Sequence, residues 1–268
     1  MPNAETKSAH HSTWQIQGHV ARLDSENLRA EVNVLNPASG LRMLAAEGAI
    51  LNDTTLFRIG LPHSTINPVV DFFARGNDLV AIYSETAEHP FRAQIYWRSV
   101  PSAITQGSGR SLGRATQSFA ALELILSIQT NLLDADPTLM VETNLSAIQV
   151  SRLVDPQTEC LTDLHVADSP AVLSPASGLG CFHFRLADSP LAYTEIVYPA
   201  DFHRSTLERS AADSNALRLS HQLFAQRLEK GVILRSRIRG FLTPSETDPA
   251  LIALAYKDFA TSEPPLTV

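Results

Sequence analysis

The segment FRAQIYWR, residues 91–98, alternates apolar and polar side chains without interruption. Successive side chains of a β-strand point to opposite faces, so a period of two predicts a strand with one packed and one polar face. The packed face would carry Phe91, Ala93, Ile95 and Trp97, and the polar face would carry Arg92, Gln94, Tyr96 and Arg98.

The same alternation recurs in residues 28–35, 121–130, 181–186 and 232–242. Residues 69–75 and 79–85 flank Gly76, Asn77 and Asp78 and predict a hairpin, and residues 191–198 and 217–224 have strand composition. Such signals predict roughly twelve to sixteen strands in all. Alternation of this kind is typical of antiparallel sheets that pack one face and expose the other.

Helical signal is confined to PALIALAYKDFA, residues 249–260. Thr247 or Asp248 can cap its first turn, Pro249 suits the first helical position, and Pro264 and Pro265 prevent its continuation. We therefore predict an all-β fold: a large antiparallel two-sheet sandwich with one short C-terminal helix. Residues 13–268 would form this single domain after a polar tail at residues 1–12, with the longest loop at residues 101–118.

The composition narrows the classes of partner. The chain has 268 residues, 44% hydrophobic content and a net charge of −7, which argues against nucleic acid because phosphate binding needs a dense cationic footprint. The polar N-terminus and the absence of a long apolar run predict neither a secretory signal nor a membrane partner. Cys160 and Cys181 do not form a CxxC, so we expect two reduced thiols in a cytoplasmic protein, with a bridge between them as the alternative. HxH and HExxH are absent, so we expect no metal and no cofactor. The oligomeric state stays open.

An eight-residue stretch occurs twice, as VLNPASGL at residues 34–41 and VLSPASGL at residues 172–179. The match ends abruptly on both sides, whereas a duplicated half should keep its register for longer. Recurrent Pro-Ala-Ser-Gly turn chemistry is therefore favoured over a remnant duplication, which stays the alternative.

Two groups of polar residues are candidates for a ligand site. The polar face of residues 91–98 (Arg92, Gln94, Tyr96 and Arg98) can form the floor of a site for a polyhydroxylated or anionic ligand, or can be a solvated face with ion pairs to neighbouring strands. Residues 191–208 hold the densest set of residue types used in acid–base catalysis. They include Glu195, Tyr198, Asp201 and His203, and the preceding strand adds His183 and Arg185.

The strongest local positive charge is the stripe Arg235, Arg237 and Arg239. Pairing with acidic neighbours in the sheet is the simpler interpretation, and binding to a protein or an anionic polymer is the alternative. Nucleic acid gets no support, because aromatic side chains do not interleave with this stripe.

The chain resembles the galactose-mutarotase-like supersandwich class of sugar-handling proteins. The resemblance lies in the length with many alternating strands, the opening pattern LRAEVNVLNPASGLRML, and the late basic strand LEKGVILRSRIRGFL. It implies a sugar bound on a sheet and, for the mutarotases, a His and a Glu acting as acid and base. Glu195, His183 and His203 have that chemistry here, although the residues around them do not match a family motif. A carbohydrate-binding or carbohydrate-modifying protein, with aldose epimerase activity as one form, is the expected function.

Overall fold

The computed structural model describes residues 13–25, 27–61, 69–87, 89–105, 116–166 and 169–263. These residues form twenty β-strands, three short 3-10 turns and one α-helix. The elements are β1 (Trp14–Gln17), β2 (Val20–Asp24), β3 (Leu28–Asn33), β4 (Arg42–Ala46), β5 (Ala49–Leu51), β6 (Thr55–Ile59), β7 (Val69–Arg75), β8 (Asp78–Tyr83), β9 (Arg92–Thr105), β10 (Thr116–Gln129), β11 (Asp134–Ala135), β12 (Leu139–Asp155), β13 (Cys160–Asp163), β14 (Ala171–Leu173), β15 (Cys181–Leu186), β16 (Leu191–Val197), β17 (Arg204–Arg209), β18 (Ala216–Leu223), β19 (Leu228–Glu229), β20 (Ile233–Pro244) and α1 (Pro249–Thr261).

The strands form two main antiparallel sheets. The N-terminal sheet has five strands in the order β1-β2-β3-β4-β5. The large sheet follows the order β14-β17-β18-β12-β15-β16-β20-β10-β9-β8-β7, with β6 and β13 also paired to β12. Strands β11 and β19 form a separate short ribbon. The predicted all-β sandwich with one C-terminal helix is confirmed.

Strand β12 joins the two halves of the large sheet. Its first half pairs with β18 and β6, and its second half pairs with β15 and β13. The register with β15 shifts between Ala147 and Gln149, and Ile148 in this irregularity is 63% exposed. A bulge of this kind bends a strand and increases its twist, so the sheet can turn over at this point.

One apolar core contains buried residues of both main sheets, among them Leu23 and Val32 from the N-terminal sheet and Leu124 from β10. The Tyr83 hydroxyl on β8 donates a hydrogen bond to the Val34 carbonyl oxygen at 2.7 Å, which ties the two sheets together. The inward-facing side chains of β9 belong to this core, as the alternation in residues 91–98 predicts.

Helix α1 packs on the opposite face of the large sheet. Its buried residues, including Ile252 and Phe259, form a second apolar cluster with Phe241 and Ile196 of the sheet. The Asp248 side chain accepts a hydrogen bond from the Ala250 amide at 2.9 Å, which confirms one of the two predicted caps.

The predicted loop at residues 101–118 is wrong at both ends. Strand β9 continues to Thr105, and β10 begins at Thr116, with these two residues paired in register. Pro101 is compatible with this strand because β8 stops pairing at Arg98, so that among the described residues the end of β9 pairs with β10 alone. The GSGRSLG stretch at residues 107–113 lies outside the described residues.

Both copies of the repeated stretch form the same local structure. Pro37–Ser39 and Pro175–Ser177 are 3-10 turns, each followed by a glycine with positive φ. Gly40, with φ of 64°, has no room for a side chain, because a Cβ would clash with the Leu56 carbonyl oxygen. One turn joins β3 to β4 in the N-terminal sheet, and the other joins β14 to β15 in the large sheet. The shared feature is therefore a turn placed in two different sheets.

Candidate functional site

A buried polar cluster lies between the two halves of the large sheet, centred on Glu195. Its Oε1 lies 2.7 Å from Nε2 of His221. Its Oε2 accepts hydrogen bonds from the hydroxyls of Tyr193 at 2.5 Å and Thr143 at 2.6 Å. On the far side of the imidazole ring, Ser205 Oγ lies 2.6 Å from His221 Nδ1. We call these five residues the Glu195 network.

The Glu195 network crosses the interior. Glu195 is on β16 and His221 on β18, and β15 and β12 separate these strands in the sheet. Three strand spacings would place them about 14 Å apart in a flat sheet. Their direct contact shows that the sheet folds over at β12 and that the network ties its two halves together.

Each hydrogen-bond donor in the Glu195 network can be matched to an acceptor within it. If His221 carries its proton on Nε2, it donates to Glu195 and accepts from Ser205. Burial, and then the neighbouring Glu195, raise the pKa of Tyr193 well above its ordinary value, which keeps this hydroxyl a donor. A hydroxyl, an imidazole and a carboxylate in series can activate a nucleophile. Here Ser205 and His221 are each 1% exposed and Glu195 is 0% exposed, so a substrate has no access to them in this structure.

The structure does not bring Glu195, His183 and His203 together. His183 pairs with Thr194 across β15 and β16, so it lies on the opposite sheet face from Glu195. Burial, and then the Arg185 charge, lower the pKa of His183 to about 4, so its ring is neutral at pH 7. His203 is exposed. Acid–base catalysis by these three residues stays a prediction, and the geometry gives them no common site.

The polar face of β9 divides into two parts. Arg98 makes two hydrogen bonds to Asp78, at 2.6 and 2.7 Å, and Tyr96 is buried in a small apolar cluster. Arg92 is exposed and Gln94 half-buried, and both border a recess of about 280 Å³. Two of the four predicted floor residues are thus available to a ligand.

The remaining predicted ligand residues lie apart from that recess. Arg185 donates a hydrogen bond to Glu246 at 2.9 Å. Tyr198 packs edge-on against a ring of α1. Asp201 accepts a hydrogen bond from the Arg237 amide at 2.9 Å, and its burial raises its pKa to about 6. Their assignment to ligand binding stays a prediction.

The arginine stripe on β20 does not form an open basic face. Arg237 donates to Glu123 at 2.7 Å, and Arg239 contacts Glu123 at 3.1 Å and Asp258 of α1 at 3.0 Å. The side chains of Arg237 and Arg239 are 4% and 13% exposed, and Arg235 is half-buried. Arg237 and Arg239 thus pair with acidic neighbours, as the simpler interpretation of the stripe predicts.

A pocket of about 430 Å³ opens on the outer face of the large sheet, opposite the Glu195 network. We call it the β12–β18 pocket. Its lining comes from β6, β12, β17, β18 and adjoining turns, and consists of Asp53, Arg58, Asn144, Leu145, Ser146, Glu208, Arg209, Ser210, Asp213, Ala216, Leu217 and Arg218.

The charges in the β12–β18 pocket balance. Arg58 forms an ion pair of 3.2 Å with Glu142, and Arg218 pairs with Glu208. The amide oxygen of Asn144 is enclosed and has no hydrogen-bond donor among the described residues. Three arginines, three carboxylates, one amide and two hydroxyls thus supply both donors and acceptors around one cavity.

Alternation does not identify the pocket residues on β12, because the pattern of this strand is interrupted. The stretch LMVETNLSAIQVSRLVD alternates in residues 139–147, but polar Thr143 interrupts its inner face and the bulge then changes the period. The alternation of Leu139, Val141, Leu145 and Ala147 was the available signal. His221 and Ser205 had no signal beyond their residue types.

No protein-family model and no curated protein matches the chain. Among solved structures, the chain is similar to a TPR-domain containing protein from Parabacteroides distasonis, with a TM-score of 0.56 and 10% identity. That alignment covers 93% of this chain and 49% of the other. At this identity the likeness is one of fold alone.

Weaker similarity extends to glycoside hydrolases. The GH36 α-galactosidase AgaB from Geobacillus stearothermophilus aligns with a TM-score of 0.49 and 6% identity over 87% of this chain and 41% of its own. The α-N-acetylgalactosaminidase NagBb from Bifidobacterium bifidum aligns with a TM-score of 0.43 and 10% identity over 88% of this chain and 36% of its own. The chain thus spans half or less of the length of these three structures, and none of the three is named as a mutarotase.

The fold and its surfaces define a class: a large antiparallel β-sandwich with polar pockets on its outer faces. The described residues contain no helix that is both long and apolar enough to cross a membrane. Within the same residues, no three His, Cys, Asp or Glu side chains are grouped as metal ligands. Cys160 is exposed and Cys181 buried, and both are free.

Proposed function

We propose that this chain is a carbohydrate-binding β-sandwich and that the β12–β18 pocket holds a neutral sugar. The observation that carries the proposal is the balanced polar lining of a cavity of about 430 Å³. A pocket of this size is within the usual range for small ligands. Each sugar hydroxyl can donate one hydrogen bond and accept up to two, so a site that offers both donors and acceptors in fixed positions suits it.

Strand pairing and ion pairs orient part of the lining. Asn144 lies on β12 between β6 and β18, while Arg218 is fixed by its pairs with Glu208 and Glu142. Ion-paired arginines keep their remaining N–H groups in a defined direction, which reduces the entropy lost on binding. The Asn144 amide lines the same cavity, and its oxygen accepts no hydrogen bond from the residues that the structure describes.

Binding without catalysis is the form of the proposal that the geometry supports best. The groups with catalytic chemistry, Glu195 and His221, are enclosed on the inner face of the sheet. The pocket opens on the outer face, so a sugar held there would not touch them. Aldose epimerase activity at Glu195 would require the sandwich to open.

Isothermal titration calorimetry tests the proposal with galactose, N-acetylgalactosamine, glucose and maltose as probes. We expect saturable binding of at least one probe, with Kd raised roughly tenfold or more in Asn144→Ala and in Arg218→Gln, because each removes a hydrogen-bonding group. Arg204→Gln is the matched control, since Arg204 is exposed on β17 on the same sheet face but outside the pocket. Equal affinity in all three variants, or no binding of any probe at concentrations up to about 50 mM, would place the function elsewhere.

A further inference from the structure

Strand β7 lies at an edge of the large sheet. The path of the sheet ends at β7 on one side and at β14 on the other, and among the described residues β7 pairs with β8 alone. Strand β14 has three residues, whereas β7 has seven and contains no proline. A long edge strand presents a row of backbone N–H and C=O groups with which another strand can pair. Val70 and Phe73 of this strand are 57% and 38% exposed, so the edge is also partly apolar.

The pairing with β8 determines which backbone groups of β7 point outward. The Asn77 carbonyl oxygen accepts a hydrogen bond from the Ser99 amide of β9, so the odd-numbered residues that follow on β8 point their backbone groups to β9 and the even-numbered residues point theirs to β7. Each even-numbered residue of β8 pairs with an odd-numbered residue of β7. The N–H and C=O groups of the intervening residues, Phe72 and Ala74, therefore point out of the sheet.

The side chains of β7 alternate between its two faces. Phe72 and Ala74 pack against the main apolar core. Asp71, Phe73 and Arg75 are exposed and lie on the opposite face. Neither Asp71 nor Arg75 forms an ion pair with the described residues. We call the five residues 71–75 the β7 edge.

The β7 edge is complementary to a second copy of itself. When two copies pair antiparallel with their Phe73 residues opposite each other, Phe72 of each copy lies opposite Ala74 of the other. These are the two residues whose backbone groups point outward, so they form the hydrogen-bonded pairs of the new ladder. In the same register Asp71 of each copy lies directly opposite Arg75 of the other, which places opposite charges side by side twice. The pairing therefore satisfies the backbone, the charges and the side-chain sizes together.

The neighbouring residues limit the length of this pairing. The Thr13 amide donates a hydrogen bond to the Gly76 carbonyl oxygen at 3.1 Å, so that group is occupied at one end. At the other end the register with β8 shifts between Val69 and Asp71. Five residues on each strand make a small interface, and small interfaces are typical of weak, transient association.

We propose that this chain forms a weak twofold-symmetric dimer by pairing of the β7 edge with the β7 edge of a second copy. Such an interface uses the same surface of both copies and joins their large sheets into one. The β12–β18 pocket has no lining residue on β7, so both copies keep it open in the dimer. The dimer does not depend on sugar binding.

Sedimentation velocity of the full chain tests the dimer at concentrations from about 5 µM to about 500 µM. We expect a reversible increase in average mass towards that of a dimer. Asp71→Arg and Arg75→Asp each place like charges opposite each other in both pairs, so each should raise the Kd of the dimer roughly tenfold or more. Arg204→Asp is the control, because Arg204 is exposed on β17, and this variant should associate as the wild type does.

A mixture of the two single variants makes the test specific for this register. Asp71→Arg paired with Arg75→Asp again has opposite charges at both positions, so the mixture should form a heterodimer with about the wild-type affinity. Circular dichroism of each variant confirms that a loss of association is not a loss of fold. Both residues are exposed, so their replacement leaves the core unchanged.

The outcomes either support the dimer or overturn it. Association that each single variant weakens and the mixture restores supports the pairing of the two β7 edges. A monomer at every concentration, association that neither single variant weakens, or variants that do not associate with each other would overturn it. Hydrogen exchange at about 5 µM should be fast at the amides of Phe72 and Ala74. Protection of these amides in the monomer would show that another segment of this chain covers the edge, which also overturns the proposal.

Discussion

Replacing Glu195 should destabilise the protein more than replacing any surface glutamate. Glu195→Ala leaves three buried donors without an acceptor: the hydroxyls of Tyr193 and Thr143 and the Nε2–H of His221. Each orphaned buried group costs about 1–3 kcal/mol, so three of them sum to about 3–9 kcal/mol. Because relaxation recovers part of this sum, we expect the free energy of unfolding to fall by about 3–5 kcal/mol.

A milder substitution provides the test if Glu195→Ala does not fold. Glu195→Gln preserves the shape and offers one acceptor oxygen in place of two, so a smaller loss of about 1–2 kcal/mol is expected. Glu246→Ala is the surface control, because the Glu246 side chain is 83% exposed and such pairs contribute about 1 kcal/mol or less.

Urea denaturation followed by tryptophan fluorescence measures these differences, with the slope m compared between variants. The structural role of the Glu195 network predicts that Glu195→Ala and His221→Ala are strongly non-additive, because they share one hydrogen bond. A loss below about 1 kcal/mol in Glu195→Ala, or simple additivity in the double variant, would refute the reasoning.

Three further variants probe other parts of the structure. Gly240→Ala on β20 places a methyl group against the Tyr193 ring and hydroxyl, so the melting temperature should fall, with an expected loss of about 1–3 kcal/mol from overpacking. The wild type should lose stability as pH falls from 6.5 to 4, because His183 takes up a proton in the unfolded state but not in the folded state. This loss of unfolding free energy is about 3 kcal/mol at most, and His183→Gln should remove it. Asp201→Asn should raise stability above pH 6 by about 3 kcal/mol at most, since ionisation of the buried carboxyl disfavours the fold, and should have no such effect below pH 3.8.

Each of these three predictions would be contradicted by a specific result. Unchanged stability in Gly240→Ala would mean that Tyr193 is not held against β20. The two pH effects have opposite signs and overlap between pH 4 and 6, so the wild type should show little net slope there from these groups. Identical pH–stability curves for wild type and His183→Gln would contradict the burial of His183, and a stability gain in Asp201→Asn that persists at pH 3 would contradict the charge argument. Asp71→Asn, on the exposed strand β7, is the control for both.

The sequence predicted the strands whose inner faces are uniformly apolar. Strands β7 and β15 have the predicted bounds, and α1 ends one residue beyond its prediction. The prediction failed at β12, where Thr143 faces the interior because Glu195 needs its hydroxyl. A polar residue on an inner face is indistinguishable from a break in the pattern until its distant partner is known.

The candidate sites were less predictable than the fold for a related reason. Residue type alone makes Glu195 a candidate, but its partner His221 lies 26 residues away on a strand that reaches it only because the sheet folds over at β12. Arg92 and Gln94 were predicted from alternation on one strand. Separating them from Arg98 and Tyr96 required the positions of Asp78 and the neighbouring strands.

The most direct test of the central proposal is a backbone amide NMR titration with a sugar that binds in the calorimetric screen. Binding in the β12–β18 pocket predicts that the largest chemical-shift changes occur at Asn144, Ser146, Glu208 and Arg218, with little change at Glu195 or Arg92. Changes centred on Glu195 and His221 would show that the sandwich opens to admit substrate, and would contradict the assignment of the outer pocket as the sugar site.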